Sequence, residues 1–277
     1  MNLIDLDGIF DETLALYLER NAGKLTEKQL EEKIPKLYEQ FGNTYLKRIG
    51  CTPVQYYAAM SDATLAKTLA EHVHTATAVP DFLCRELEKR DCTSVLLPFL
   101  AEEEELATYA VNLIGADVAA FPAYLDILAD PDRSSDLKDS ACEMLRENAD
   151  AAKERAIALY TSGTERTYTP EVLSRCKDKD ERIYEILMQE YAAHADNIPL
   201  FAGYFAAYGD TRALPLLLDL IDRTDINYID FQELKYAVEA LGGEYTKPRD
   251  FSDDPYYKEM QEASKVPTDL FDPIPKN

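Results

Sequence analysis

The sequence has no tryptophan, only three histidines and only five cysteines in 277 residues, and each scarcity removes a class of protein. Cys51, Cys84, Cys92, Cys142 and Cys176 are odd in number, far apart and never in a CxxC pair. That spacing matches neither a disulfide framework nor a zinc pattern, so free cysteines used as small apolar residues are expected. No apolar run approaches the roughly 20 residues that span a bilayer. The first residues, Met1-Asn2-Leu3-Ile4-Asp5, lack the basic and apolar regions of a signal peptide. The expectation is a soluble, cytoplasmic protein with no membrane partner and no cofactor.

Basic residues are also scarce: 29 Lys and Arg stand against 52 Asp and Glu, a net charge of −23. The excess is uneven. Residues 1–90 carry 14 acids and 11 bases, whereas residues 91–243 carry 30 and 13. Such a field repels nucleic-acid phosphates, which argues against a nucleic-acid partner. A protein or peptide partner, of basic or neutral surface, fits better; plain solubility accounts for the same acids.

What is abundant is helical periodicity, while strand alternation is absent. Phe10, Leu14, Tyr17 and Leu18 mark a first stripe, with Asp11 as its expected cap. Leu30, Ile34, Leu37, Tyr38 and Phe41 mark a second, opened by Thr26 and closed by Gly42. Thr52-Pro53, Ser61 and Pro80-Asp81 open three more. These make an N-terminal helical segment over residues 1–90. From 91 to 245 the stripes form helical pairs: Leu106–Ile114 ends at Gly115, Leu137–Leu145 follows, Phe201–Tyr208 ends at Gly209, and Phe231–Leu241 ends at Gly242-Gly243. Residues 246–277 are rich in Pro and Asp and show no helical stripe, which predicts a tail.

Within this pattern the chain matches itself. Asp117-Val-Ala-Ala-Phe-Pro122-Ala-Tyr-Leu125-Asp126-Ile-Leu128 aligns without gaps on Asp210-Thr-Arg-Ala-Leu-Pro215-Leu-Leu-Leu218-Asp219-Leu-Ile221. Each segment follows a glycine that can end a helix with positive φ. The Asp then offers an oxygen to free N–H groups, and Pro sits in the first turn where its missing N–H costs nothing. The run Gly209-Asp210-Thr-Arg-Ala-Leu-Pro215, with Glu239-Ala-Leu-Gly242 ending the partner helix, resembles the first helix of a HEAT repeat. The resemblance covers roughly residues 91–243 and is clearest at 210–243 and 117–148. Thr169-Pro170 stands 48 residues after Pro122 and 45 before Pro215, near the period of about 40–47 in such repeats. Two further helices around 183–191 and 199–208 leave the phase between 149 and 208 open. The resemblance implies an all-α superhelix of helical hairpins with a binding surface, and names no ligand.

Two motifs invite a chemical reading. Leu3-Ile4-Asp5-Leu6-Asp7-Gly8-Ile9 resembles the first motif of haloacid-dehalogenase-type phosphatases. That resemblance implies Asp5 as nucleophile, Asp7 as acid/base and Mg²⁺ between them. Such enzymes need a parallel sheet, and Ile9 stands where Thr or Val is usual; the plainer alternative is an irregular lead-in to the first helix. Asp222-Arg-Thr-Asp-Ile-Asn-Tyr-Ile229-Asp230-Phe-Gln-Glu233 resembles the second half of an EF-hand loop. Thr224 and Ile226 replace oxygen ligands, and Asn227 replaces the turn glycine, so calcium binding is expected to be weak at best.

His72 and His74 lie two apart, on different helical faces, and His72 shares the Leu65/Leu69 stripe. His194 is alone. The run Glu102–Glu105 suits a helix start. Tyr56-Tyr57 and Tyr256-Tyr257 are the aromatic pairs expected to protrude as contacts. No residue emerges as a catalytic, metal or cofactor ligand beyond the Asp5/Asp7 alternative. The expected function is therefore a noncatalytic interaction or scaffold protein, with a metal-dependent phosphatase as the alternative and DNA processing disfavoured by charge.

Overall fold

A computed structural model describes residues 3–24 and 26–263. Among these residues the chain is all-helical, with no strand and one isolated bridge between Leu46 and Cys51. No helix among them is long and apolar enough to cross a membrane. Contacts divide the chain into two compact units that meet between Glu147 and Asn148. This division differs from the composition steps at 90/91 and 245/246.

The first unit contains α1 (Leu6–Arg20), α2 (Glu27–Glu31), α3 (Ile34–Gly42), α4 (Pro53–Ala58), α5 (Asp62–His74), α6 (Asp81–Lys89), α7 (Thr93–Leu96), α8 (Glu104–Ile114), α9 (Phe121–Ala129) and α10 (Ser135–Glu147). Its hydrophobic core runs straight through residue 90: Leu6, Tyr57, Leu65, Leu69, Leu83, Leu87, Leu96 and Leu106 are all buried in one cluster. Charge changes at 90 because surface residues change, whereas the apolar faces on either side share one interior.

Helix starts follow the caps written in the sequence. Thr26 and Thr52 each form a reciprocal capping box with Gln29 and Gln55, and Ser61 accepts from Thr64 N–H. Two starts differ from expectation. α1 begins at Leu6, capped by Asp5, whose Oδ1 accepts from Gly8 N–H at 2.7 Å, and not by Asp11. Gly8 makes this possible, since a Cβ there would sit 2.5 Å from the Asp5 carboxylate. The stripe read as one helix from Thr26 to Gly42 breaks into α2 and α3. Pro35, in the first turn of α3, has no N–H to continue α2. Gly42, expected as a stop signal, serves close packing: the Phe82 ring lies where a Cβ would be, 2.4 Å away. Phe82 also stacks on Tyr38 at 4.5 Å, and Tyr38 meets Phe10 edge-on at 4.9 Å.

The second unit contains α11 (Ala149–Ser162), α12 (Thr169–Ser174), α13 (Glu181–Ala193), α14 (Ile198–Tyr208), α15 (Leu214–Ile221), α16 (Tyr228–Ala240) and α17 (Pro255–Ala263). Packing runs mainly between neighbours or next-but-one neighbours: α11 on α12, α12 on α13 and α14, α14 and α15 on α16. The last helix corrects the expectation of a tail without a helical stripe, within its described part. Asp254 explains it. Its Oδ1 accepts from Tyr256 and Tyr257 N–H, while its Oδ2 accepts from Tyr228 N–H, so one carboxylate caps α17 and α16 together. Arg249 donates to the carbonyls of Ile221 and Ile226 near the end of α15, and Phe251 packs against Phe231 and Tyr228. Pro267, Pro273 and Pro275 lie outside the described residues.

The two self-matching segments have the same local structure. Gly115 (φ +63°) and Gly209 (φ +70°) end α8 and α14. Asp117 and Asp210 each cap a short 3-10 turn, Val118–Ala120 and Thr211–Ala213, by accepting from the N–H two residues on at 2.9 and 3.0 Å. Ala120 and Ala213 are fully buried, and Pro122 and Pro215 occupy the first turns of α9 and α15. Tyr124 and Leu217, then Leu128 and Ile221, fill equivalent buried positions. Gly115, with ψ −145°, occupies a region open essentially only to glycine. Gly115→Ala is therefore expected to destabilise the first unit by roughly 1–3 kcal/mol. Gly203→Ala, in the exposed middle of α14 with open space around it, should be neutral or stabilising by up to about 1 kcal/mol. Urea denaturation of both variants checks this contrast.

Candidate binding groove

The phosphatase-like motif is the start of a helix. Asp5 is held by its capping bond, and Asp7, on the first turn of α1, accepts a 2.8 Å hydrogen bond from Tyr38 OH. Burial pushes the Asp7 carboxyl above its ordinary pKa, with the nearby Asp5 and Asp11 adding to the effect and the Tyr38 bond opposing it. Among the described residues no sheet underlies the pair. The EF-hand-like segment is likewise used for structure. Asp222 accepts from Tyr245 OH and Lys247, and Asn227 caps α16 by accepting from Asp230 N–H. Among the described residues no group of three or more His, Cys, Asp or Glu could hold a metal ion.

All five cysteines are free. Burial pushes the Cys84 thiol up to about 11 and the Cys176 thiol up to about 12, the opposite of nucleophile activation. Glu104 and Glu105 lie in the first turn of α8, and Glu103 is 3.3 Å from His74, both exposed. Of the tyrosine pairs, Tyr57 is buried and Tyr56 half-buried, so that pair is core and not contact surface. Tyr256 is exposed, while Tyr257 packs on Tyr228 at 5.0 Å.

In the second unit a short motif at helix starts ties alternate helices together. Asp180 and Asp210 each cap a helical turn and each accept from the arginine two residues on. Arg182 then reaches back to Glu154 of α11 at 2.7 and 3.0 Å, and Arg212 reaches back to Glu181 of α13 at 2.7 and 2.9 Å. Arg212 also lies over the Tyr184 ring, 4.0 Å from its centroid. Its hydrogen bonds to Arg182 hold Asp180 down at about 2. These bridges are solvent-exposed, so they fix register more than they add stability. The Asp-x-Arg recurrence at a spacing of 30 was present in the sequence.

The same helices enclose two depressions. One, of about 490 Å³, lies between the start of α12, the end of α13 and the first half of α14. Its floor is Pro170, Leu200, Phe201 and Tyr204, and its rim carries Arg166, Glu190, His194 and Asp196. A second, of about 340 Å³, lies between α11 and α13 and shares Arg166 with the first. Where they adjoin, Tyr160 OH donates to Glu190 at 2.6 Å. Arg166 sits over the Tyr160 ring at 5.1 Å and donates from Nε to the Tyr160 carbonyl at 3.2 Å. Burial and then the Glu190 bond push the Tyr160 phenol up to about 12, so it stays a hydrogen-bond donor. Glu190 is thus oriented before any ligand arrives, with His194 Nε2 4.0 Å from its other oxygen. The groove offers an apolar floor, two carboxylates and one guanidinium: equipment for binding a short extended segment. Sequence reasoning missed it because four helices contribute, and no spacing along the chain announces Tyr160, Arg166 and Glu190 as neighbours. Compared with protein-family models, curated proteins and solved structures, the chain matches none.

His72 is the one histidine in the interior. It is fully buried, neither ring nitrogen has a hydrogen-bond partner, and it adjoins a void of about 10 Å³ lined also by Ile4, Tyr57 and Thr68. Burial lowers its pKa; nearby backbone groups of Thr77 and Ala78 and the carboxylates Asp5 and Asp7 oppose this only in part. Below about pH 6.5 the unfolded chain therefore takes up the proton more readily than the folded one. Stability of the first unit is expected to be full above that pH and to fall as pH drops through it towards the lower folded pKa. His72→Leu should flatten this slope in denaturation curves between about pH 5 and 7. It should be neutral or stabilising at pH 7, since two unpartnered buried nitrogens are lost.

Proposed function

We propose that this chain is a noncatalytic interaction protein, built from HEAT-like helical hairpins, whose second unit binds a protein or peptide partner in the groove around Arg166 and Glu190. The observation that carries this reading is the groove itself. It is wide enough for side chains, has an aromatic and aliphatic floor, and keeps Glu190 oriented through Tyr160. Two features support the HEAT-like part: the Asp-x-x-Ala-Phe/Leu-Pro turn recurs with the same capping geometry, and Asp-x-Arg bridges connect alternate helices, α11 to α13 and α13 to the turn before α15. A partner with Lys or Arg beside an apolar residue is favoured. Glu190 and Asp196 would pair with the base, and Leu200 and Phe201 would take the apolar side chain.

The test uses a panel of fluorescent peptides of about ten residues that combine Lys or Arg with Leu or Phe. Anisotropy titration should find saturable binding that weakens at least tenfold in the Glu190→Gln/Asp196→Asn double variant. Ala193→Arg, which fills the exposed rim with a bulky cation, should abolish it. Absence of saturable binding across the panel, or binding indifferent to Ala193→Arg, would sink the reading.

A further inference from the structure

Arg166 stands between the two depressions of the second unit and lines both. Its place is fixed without a carboxylate: Nε donates to the Tyr160 carbonyl, and the guanidinium lies over the Tyr160 ring. Other arginines of this unit are used differently. Arg182 holds Asp180 and Glu154, Arg212 holds Asp210 and Glu181, and Arg223 holds Asp225. Among the described residues Arg166 has no ion pair, although it lies in the most acidic stretch of the chain. The carboxylate next to it in sequence is turned away. Glu165 is buried, and its Oε1 accepts from the N–H groups of Thr167 and Tyr168 at the start of α12. The terminal nitrogens of Arg166 therefore keep their donors free, on an exposed residue at the wall of the groove. Across the second depression Arg182 is already neutralised by its two acids, which leaves Arg166 as the guanidinium able to take an anion.

We propose that the groove reads a pair of opposite charges: its peptide ligand carries Asp or Glu two residues from the Lys or Arg that meets Glu190, and this acid takes the free fork of Arg166. The inference rests on the peptide-binding groove proposed for this unit and adds to it the acid as a requirement. Charge complementarity selects the occupant. Glu190 and Arg166 are both oriented before binding, one by the Tyr160 hydroxyl and the other by its ring and carbonyl, and neither neutralises the other. A ligand of one sign would cover one of them without giving it a partner, whereas a ligand with both signs pairs each. A planar guanidinium matches a carboxylate with two parallel hydrogen bonds, so Asp or Glu fits better than a neutral amide. The spacing follows from Tyr160. Its OH holds Glu190 at 2.6 Å, and its ring lies 5.1 Å from the guanidinium. Two charges set around one phenol are at most about three residues of extended chain apart, at ~3.3 Å per residue. Side chains two residues apart in an extended segment point to the same side, so base and acid can both face the groove.

Anisotropy titration of the full chain with matched fluorescent peptides tests this. Each peptide combines Lys or Arg with Leu or Phe and carries Glu, Gln or Lys two residues from the base, on either side. Blocked ends exclude a terminal carboxylate. The parent should bind the best Glu peptide at least about tenfold more tightly than its Gln counterpart. The net charge of −23 works against an added acid, so such a gain reports a local cation. Arg166→Gln should remove the preference while still binding the Gln peptide. Arg166→Glu should reverse it, favouring the Lys peptide over the Glu peptide. Arg166 is exposed, so circular dichroism of both variants should match the parent. Equal affinity of the parent for Glu and Gln peptides overturns the proposal and leaves the groove as a site for basic and apolar residues alone. A preference that survives Arg166→Gln overturns it as well, because the acid then lies elsewhere. If no peptide binds saturably, the groove itself fails and this inference with it.

Discussion

A chain divided into many short helices exposes backbone N–H groups at each start that no carbonyl within the helix can reach. A long-helix bundle meets this problem a few times; this protein meets it at almost every turn. Its solution is a short polar side chain immediately before the helix. Asp5, Thr26, Thr52, Ser61, Asp117, Asp180, Asp210, Asn227 and Asp254 all accept from N–H groups of the turn that follows. With several helices under ten residues long, isolated stability is negligible, and each element depends on the face it buries and, at these nine starts, on its cap as well.

Part of the acidity follows from this constraint. Carboxylates are favoured where helices begin, both as hydrogen-bond acceptors and as charges near the positive end of the helix dipole. In residues 91–243 the bare excess of acids suggests a field directed at a partner. Asp117, Asp180 and Asp210 are nevertheless occupied as caps, and Glu154 and Glu181 are occupied by Arg182 and Arg212. Net charge alone therefore overstates the surface left for recognition. Arg182 and Arg212 sit where they link one helix start to the helix two before it, which sets the spacing of α11, α13 and α15.

What the sequence made legible divides along the same line. Local features were readable because their cause is local: Thr52-Pro53, Ser61, Gly209-Asp210 and the buried stripes of α5, α6 and α14 all stand where pattern placed them. The break at Pro35 was written in the sequence too, but a continuous apolar stripe concealed it. Asp5 was obscured by a resemblance to a phosphatase motif, and α17 by the prolines around it. Gly42 shows where local reading ends. Its meaning lies in the Phe82 ring 40 residues away, and sequence periodicity holds no information about that approach.

The groove in the second unit is the extreme case of the same rule. Tyr160 closes α11, Arg166 lies in the turn before α12, and Glu190 and Phe201 come from α13 and α14. None is unusual for its own segment: a tyrosine on an apolar stripe, an exposed arginine, a glutamate near a helix end. Only the packing of α11 and α14 around α12 makes them a unit, with the tyrosine fixing the glutamate from one side while its ring and carbonyl hold the arginine from the other. Glu190 differs in this from the capping carboxylates. Tyr160 engages one of its oxygens, and the other faces an exposed histidine at the edge of a cavity. A carboxylate oriented but not used up by the fold is what distinguishes a group available for recognition from one consumed in building the helices.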